Sequence, residues 1–261
     1  MHIEFFKNKY PIASPLILAT SFLWINYSHL ATQDIVYSSI VILGVYSSVK
    51  FQKEKKNVYL ILSGIWIGFA FMLKTYLTFI PFLAIIPFFL YFRIIYKKIF
   101  WIGFLIGFIP FLIWSSKVIN IYDYSTYSGL FKKLIFLSGK THFTNPIYYY
   151  IWNIPVNIFP WSAFAFLGII RSYKSKKFVE RYILFFYPLI NILLLSFFST
   201  KTPYYPLQIL PFISLNTFKG LIDTICNRNL LYRINYFLNF YLIPLILITL
   251  VFYINSGSVS Y

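Results

Sequence analysis

Long apolar runs separated by short polar and basic segments dominate the chain. A helix needs roughly 20 apolar residues to cross the hydrocarbon core of a bilayer, and an outer-membrane strand only about 9–11 alternating ones. Nine runs approach the helical length: 12–31, 35–50, 58–73, 77–92, 99–116, 147–170, 182–199, 205–225 and 235–254. The first is the weakest, because Asn26, Ser28 and His29 interrupt it. The pattern predicts an all-α, multi-pass transmembrane helical bundle of about nine helices.

Composition supports a membrane protein and excludes several other classes. Of the 261 residues, 59% are hydrophobic and only 11% are charged, and the mean hydropathy is +0.72. An average soluble domain has roughly 25% charged residues. The chain is therefore neither a water-soluble globular protein nor a disordered one. The single cysteine, Cys226, excludes an internal disulfide framework.

The positive charge is distributed in a way that predicts topology. The net charge of +17 lies in the short segments between apolar runs, where it orients helices rather than binding nucleic acid. With the N-terminus in the cytoplasm, most Lys and Arg fall on the inner side, as expected for a multi-pass protein of the plasma (inner) membrane. Six basic residues fall on the outer side: Lys74, Lys117, Lys132, Lys133, Lys140 and Lys201.

One long segment outside the predicted spans, about 117–146, lies on the outer side. Its apolar residues recur among lysines, a pattern typical of an amphipathic helix on a membrane surface and also of an ordinary packed loop helix. No linker or internal repeat divides the sequence, so we expect residues 1–261 to form a single integral membrane domain.

Ionisable residues at span ends are the first candidates for function, because charge within a membrane is costly. Asp34 lies at the predicted outer end of one span and Lys74 at that of the next. Asp34 has an alternative role as a helix N-cap. The alternative role of Lys74 is that of a cation whose long side chain extends to the membrane–water interface. If these residues are functional, the ammonium group of Lys74 is suited to bind a lipid-linked phosphate.

Two further segments collect polar side chains at predicted outer span ends. One contains His142 and Tyr148, and the other contains Lys201, Tyr204 and Tyr205. His142 suits either a divalent metal ion or a phosphate, although a single histidine without a second ligand does not define a metal site. Pro206 and Pro211 bend or break the helix after Lys201, which membranes tolerate where backbone lines a cavity.

These four segments occur in an order that resembles a known family. The segments are HLATQD (29–34), GFAFMLKTY (68–76), HFTNPIYYYIWNIPVNIFPW (142–161) and LLSFFSTKTPYYPLQILPF (194–212). Together they resemble the polyprenyl-phosphate-sugar-dependent glycosyltransferases, which include the bacterial aminoarabinose transferase of lipid A and the protein O-mannosyltransferases. The most specific part is the block from Lys201 to Tyr205 together with the block from Pro146 to Trp161.

The resemblance implies a function and roles for the candidate residues. A sugar on a polyprenyl phosphate is transferred to a lipid, glycan or protein acceptor outside the membrane, as in lipid A modification or protein glycosylation. Lys74 and Lys201 are then expected to contact the phosphate. Tyr148, Tyr204 or Tyr205 would contact the carrier or sugar, His142 a metal or the phosphate, and Asp34 a cation or the donor.

The sequence departs from the family at two places. Thr75 and Tyr76 follow the lysine where the family has Gly-Pro. The family's first outer loop carries an Asp-Glu pair that supplies the proposed base, and the only acidic residue before Asp34 here is Glu4. We therefore assign no catalytic base and expect the N-terminal spans to be missing or separately encoded. A non-catalytic membrane assembly subunit and a lipid or sugar transporter are the alternatives.

Overall fold

The structure, a computed structural model, describes residues 1–6, 10–30, 32–139, 145–198 and 201–227. Within these ranges it is all-helical, which confirms the predicted fold class. The helices are α1 His2–Phe6, α2 Ala13–Ala19, α3 Phe22–Ser28, α4 Gln33–Glu54, α5 Asn57–Lys74, α6 Phe79–Tyr91, α7 Lys98–Gly139, α8 Tyr149–Asn157, α9 Ser162–Tyr173, α10 Phe178–Arg181, α11 Tyr187–Phe197 and α12 Leu210–Cys226. A π-helical turn, Tyr182–Phe186, joins α10 to α11.

Eight of the nine predicted spans fall largely among the described residues, and fewer helices than that are able to cross a membrane there. Among the described residues, four are long and apolar enough, namely Gln33–Glu54, Asn57–Lys74, Lys98–Ser125 and Phe178–Phe197. A fifth is obtained if α8 and α9, bent by 117° at their junction, form one broken span. The predicted span 235–254 lies outside the described residues.

Local chemistry explains the differences. The predicted span 12–31 is broken into α2 and α3, and the hydroxyls of Thr20 and Ser21 donate to backbone carbonyls of α2 at this break. Side chains that bond locally to the backbone compete with a continuous helix. The predicted span 99–116 extends instead as α7 to residue 139, with a kink at Asp123, whose φ is 66°. The segment 117–139 is therefore helical.

Close backbone contact holds α5 against α7. Gly64 and Gly68 on α5 face Gly103 and Gly107 on α7, and a Cβ at Gly64 would lie 2.1 Å from the Phe100 carbonyl oxygen. Small residues four apart allow this approach between helices in a membrane. Because residues 64 and 68 pair with residues near 100 and 104, α5 and α7 run in the same direction.

The two ends of the bundle are distinguished by their ion pairs. One end, called here the opposite end, holds ion pairs that join the C-terminal parts of α4, α9 and α12 to neighbouring segments. They are Lys53–Glu4 (2.6 Å), Lys56–Glu54 (2.9 Å), Arg171–Asp223 (3.1 Å) and Lys219–Glu180. The other end, called here the site end, contains the first turn of α4 and the last turn of α5. The predicted functional residues lie there.

Candidate functional site

An ion pair between Asp34 and Lys74 forms the centre of the site end. Asp34 lies in the first turn of α4 and Lys74 is the last residue of α5, so each charge complements the dipole of its own helix. The Lys74 Nζ lies 2.7 Å from Asp34 Oδ1, and the two side chains are 15% and 13% exposed. Two residues predicted separately from the sequence are thus brought into direct contact.

A narrow cleft opens beside this pair. Tyr204, Tyr205 and Gln208 line it together with apolar side chains. The Lys74 Nζ lies 5.7 Å from the centre of the Tyr204 ring, within range of a cation–π interaction. Gln208 is buried, and its Oε1 accepts no hydrogen bond in the part of the chain that the structure describes. The cleft therefore offers a carboxylate, an ammonium, two phenols and a free amide oxygen to a small polar group.

The walls of the cleft are joined through α4. The Tyr37 hydroxyl donates to the Leu77 carbonyl oxygen (3.2 Å), in the 3-10 turn Thr75–Thr78 that follows Lys74. The Ser38 hydroxyl donates to the Leu207 carbonyl oxygen (2.9 Å), in the 3-10 turn Tyr205–Gln208. One turn of α4 thus holds both sides of the cleft in place.

The segment before Tyr204 is anchored to α8 and the residues preceding it. The Asn145 side-chain amide donates to the Lys201 carbonyl oxygen (2.9 Å), and the Tyr150 hydroxyl donates to that of Thr202 (3.3 Å). Lys201 is only 5% exposed, and its Nζ donates to the Phe198 carbonyl oxygen at 2.8 Å. Lys201 does not line the cleft of Lys74, so the structure places the two predicted phosphate ligands in different surroundings.

Of the remaining predicted residues, only Tyr148 lies among the described ones, and it does not line the cleft. Tyr148 is 62% exposed just before α8. His142 lies outside the described residues, so its predicted metal or phosphate contact stays a prediction. Within the described ranges, no group of three or more His, Cys, Asp or Glu residues is placed to hold a metal ion.

Several residues of the site were not predicted from the sequence. Tyr27 on α3 packs on Tyr204 with ring centres 5.5 Å apart. Tyr27 lies outside the spanning helices, and its partial burial, followed by the nearby Tyr204 and Asp34, raises its pKa. Tyr27 is protonated at neutral pH, as an unperturbed tyrosine also is, and can donate a hydrogen bond. Gln208 had a signal in the sequence, because it is the one amide between Pro206 and Pro211.

Comparison with known proteins agrees with this geometry. Residues 3–114, which include Asp34 and Lys74, match the family model described as dolichyl-phosphate-mannose-protein mannosyltransferase. A comparison with curated protein sequences returns no match. Among solved structures, the fold is similar to ArnT from Cupriavidus metallidurans, solved bound to undecaprenyl phosphate, with a TM-score of 0.68 at 13% identity. The similarity covers 85% of this chain and 42% of ArnT, so the chain spans about two fifths of the length of that protein.

These findings confirm the resemblance drawn from the four sequence segments. The family model covers the first two segments, and the similarity of fold extends over most of the chain. Proteins of both kinds are integral to membranes, and the described part of this chain has four or five apolar helices of spanning length. The chain is an integral membrane protein that resembles, in sequence over residues 3–114 and in fold over most of its length, the polyprenyl-phosphate-sugar glycosyltransferases.

Proposed function

We propose that this chain is a membrane glycosyltransferase, or the carrier-binding part of one, that uses a polyprenyl-phosphate-linked sugar as donor. The acceptor is a lipid, glycan or protein on the outer face of the membrane, and residues 1–261 act as one membrane domain with the 117–146 segment on that face. The observation that carries the proposal is the half-buried Asp34–Lys74 pair beside Tyr204 and Tyr205. These residues come from segments far apart in sequence, and they meet at one end of the bundle.

The chemistry of glycosyl transfer fits this end of the molecule. The leaving group of the donor is a phosphate, and fixed cations stabilise the negative charge that develops on it. Lys74 and Lys201 are the cations that the described part of the site end offers near the tyrosines. Hydroxyl-bearing aromatic rings, such as Tyr204 and Tyr205, combine an apolar face for the carrier with a polar edge for the sugar.

Carboxylates are scarce at this end, which favours a second candidate function. A hydroxyl acceptor needs a base within hydrogen-bond reach. Asp34 is the only carboxylate that lines the cleft, and it is already bound to Lys74. Asp123 lies at the kink of α7 and forms no ion pair among the described residues. A carrier-binding subunit that works with a separately encoded part bearing the base is therefore the second candidate.

Binding of the carrier tests the proposal. The purified full chain in lipid nanodiscs should bind undecaprenyl phosphate more tightly than undecaprenol, which lacks the phosphate. The double variant Lys74→Met/Lys201→Met removes both cations near the tyrosines and should weaken binding of the phosphate form by about tenfold or more. Lys117→Met, which removes an exposed lysine of α7, is the matched control and should bind as the wild type does. Equal affinity of the wild-type chain for the phosphate and the alcohol would contradict the proposal.

A further inference from the structure

Lys201 is the only lysine in the described part of the chain whose side chain is buried. It is 5% exposed. The half-buried lysines each have a carboxylate partner: Lys74 is 15% exposed and pairs with Asp34, Lys219 is 17% exposed and pairs with Glu180, and Lys50 is 25% exposed and pairs with Glu54. Since burying an ammonium without a counter-charge is costly, an anion near Lys201 is expected.

The acidic side chains of this protein do not supply that anion. The sequence contains six, and all six lie within the described residues. Five form ion pairs with other cations, namely Glu4, Asp34, Glu54, Glu180 and Asp223. The sixth, Asp123, lies at the kink of α7 and has no ion pair with Lys201.

The next residue adds an unused hydrogen-bonding group. Thr202 is 7% exposed, and its Oγ1 has no hydrogen-bond partner among the described residues. The Lys201 ammonium has three N–H donors and, among the described residues, uses one of them on the Phe198 carbonyl oxygen. Buried polar groups are nearly always satisfied, so two adjacent residues with free donors indicate a ligand that accepts hydrogen bonds.

The Asp34–Lys74 pair has the opposite character. Its two charges cancel, and an anion placed on Lys74 would have to approach a carboxylate 2.7 Å from the ammonium. The Asp34 carboxylate and the free Gln208 Oε1 are both acceptors, which suits a ligand that donates hydrogen bonds. Sugar hydroxyl groups are such donors, and the phosphate of a carrier is not.

We infer that Lys201 and Thr202 bind the phosphate of the polyprenyl carrier, whereas the neutral Asp34–Lys74 pair and Gln208 bind the sugar attached to it. The assignment of these ligands rests on the proposed function. The anion site at Lys201 and Thr202 itself rests on burial, charge and unused donors, and can be tested with simpler anions.

The test measures thermal stability of the purified full chain with four ligands: inorganic phosphate, chloride at equal ionic strength, geranyl phosphate and geraniol. Wild type should be stabilised by the two phosphates over chloride and geraniol. Lys201→Met should lose this preference by about ten- to a hundredfold in apparent affinity, and Thr202→Val in part. Lys201→Arg should keep it. The double variant Asp34→Asn/Lys74→Met removes the neutral pair without leaving a charge and should also keep it, as should Lys117→Met.

Each outcome decides one of the two proposals. Unchanged phosphate preference in Lys201→Met, or its loss in Asp34→Asn/Lys74→Met but not in Lys201→Met, overturns the inference and leaves the proposed function standing. No stabilisation of wild type by either phosphate also overturns the inference. Stabilisation by inorganic phosphate through Lys201, without any binding of undecaprenyl phosphate, supports the anion site and contradicts the proposed function. If Lys201→Met does not fold, the wild-type and Thr202→Val measurements decide.

Discussion

Replacing Asp34 with asparagine should destabilise the protein far more than replacing an exposed acid. Breaking a buried ion pair by removing one partner costs about 3–5 kcal/mol, because the other charge is left unpaired. The Asp34 and Lys74 side chains are 13% and 15% exposed, so some of the lost interaction is replaced by water. We therefore expect a loss of about 2–4 kcal/mol, or roughly 5–15 °C in Tm for a protein of this size.

Two further variants show whether the unpaired charge is the cause. Asp34→Asn/Lys74→Met replaces the pair by neutral groups of similar volume and should lie within about 1 kcal/mol of the wild type. Asp223→Asn breaks the pair with Arg171, whose side chains are 37% and 50% exposed, and should cost about 0–1 kcal/mol. The assay is thermal unfolding of the purified chain in one detergent, without added carrier. The reasoning is refuted if Asp34→Asn is no less stable than Asp223→Asn, or if the double variant is less stable than Asp34→Asn.

The remaining predictions concern packing, topology and turnover. Gly168→Ala should sharply reduce the folded yield, measured by size-exclusion chromatography, because a Cβ there would lie 1.7 Å from the Asn216 carbonyl oxygen; normal yield would show that α9 and α12 can separate. With Cys226 replaced, an impermeant thiol reagent should label Tyr148→Cys in intact cells and Lys174→Cys only after permeabilisation, and the reverse pattern would invert the topology. The 261-residue chain alone should bind undecaprenyl-phosphate sugars but transfer them about 10²–10⁴-fold more slowly than a chain supplied with a carboxylate base, and equal rates would place the base within these residues.

The sequence was sufficient to predict the helical membrane class and the convergence of most site residues. Apolar run length identified the helical class, although fewer of the described helices have spanning length than the runs predicted. The alternation of basic segments predicted Asp34, Lys74 and Tyr204 at the same end. The order of the four segments then indicated the resemblance to the glycosyltransferases. Apolar length and sign of charge are properties of individual segments, so they can be read directly from the sequence.

The pairings between runs could not be predicted in this way. Asp34 and Lys74 lie on different helices, and only the packing of α4 on α5 places their charged atoms 2.7 Å apart. Likewise, the burial of Lys201 depends on contacts of its segment with α8 and Asn145. The first predicted span failed for a related reason, because local bonds from Thr20 and Ser21 to the backbone outweighed a weak apolar run.

The N-terminal turn of α4 has a mechanical consequence for the site. Residues 34, 37 and 38 lie on one face of that turn and hold Lys74, the Leu77 carbonyl and the Leu207 carbonyl respectively. One turn of α4 is bonded to both walls. The cleft therefore cannot widen unless the ion pair or one of the two hydrogen bonds from α4 breaks. A ligand must therefore enter along the cleft or past the segment before Tyr204. The rate of entry should depend on motion of that segment rather than on separation of the helices.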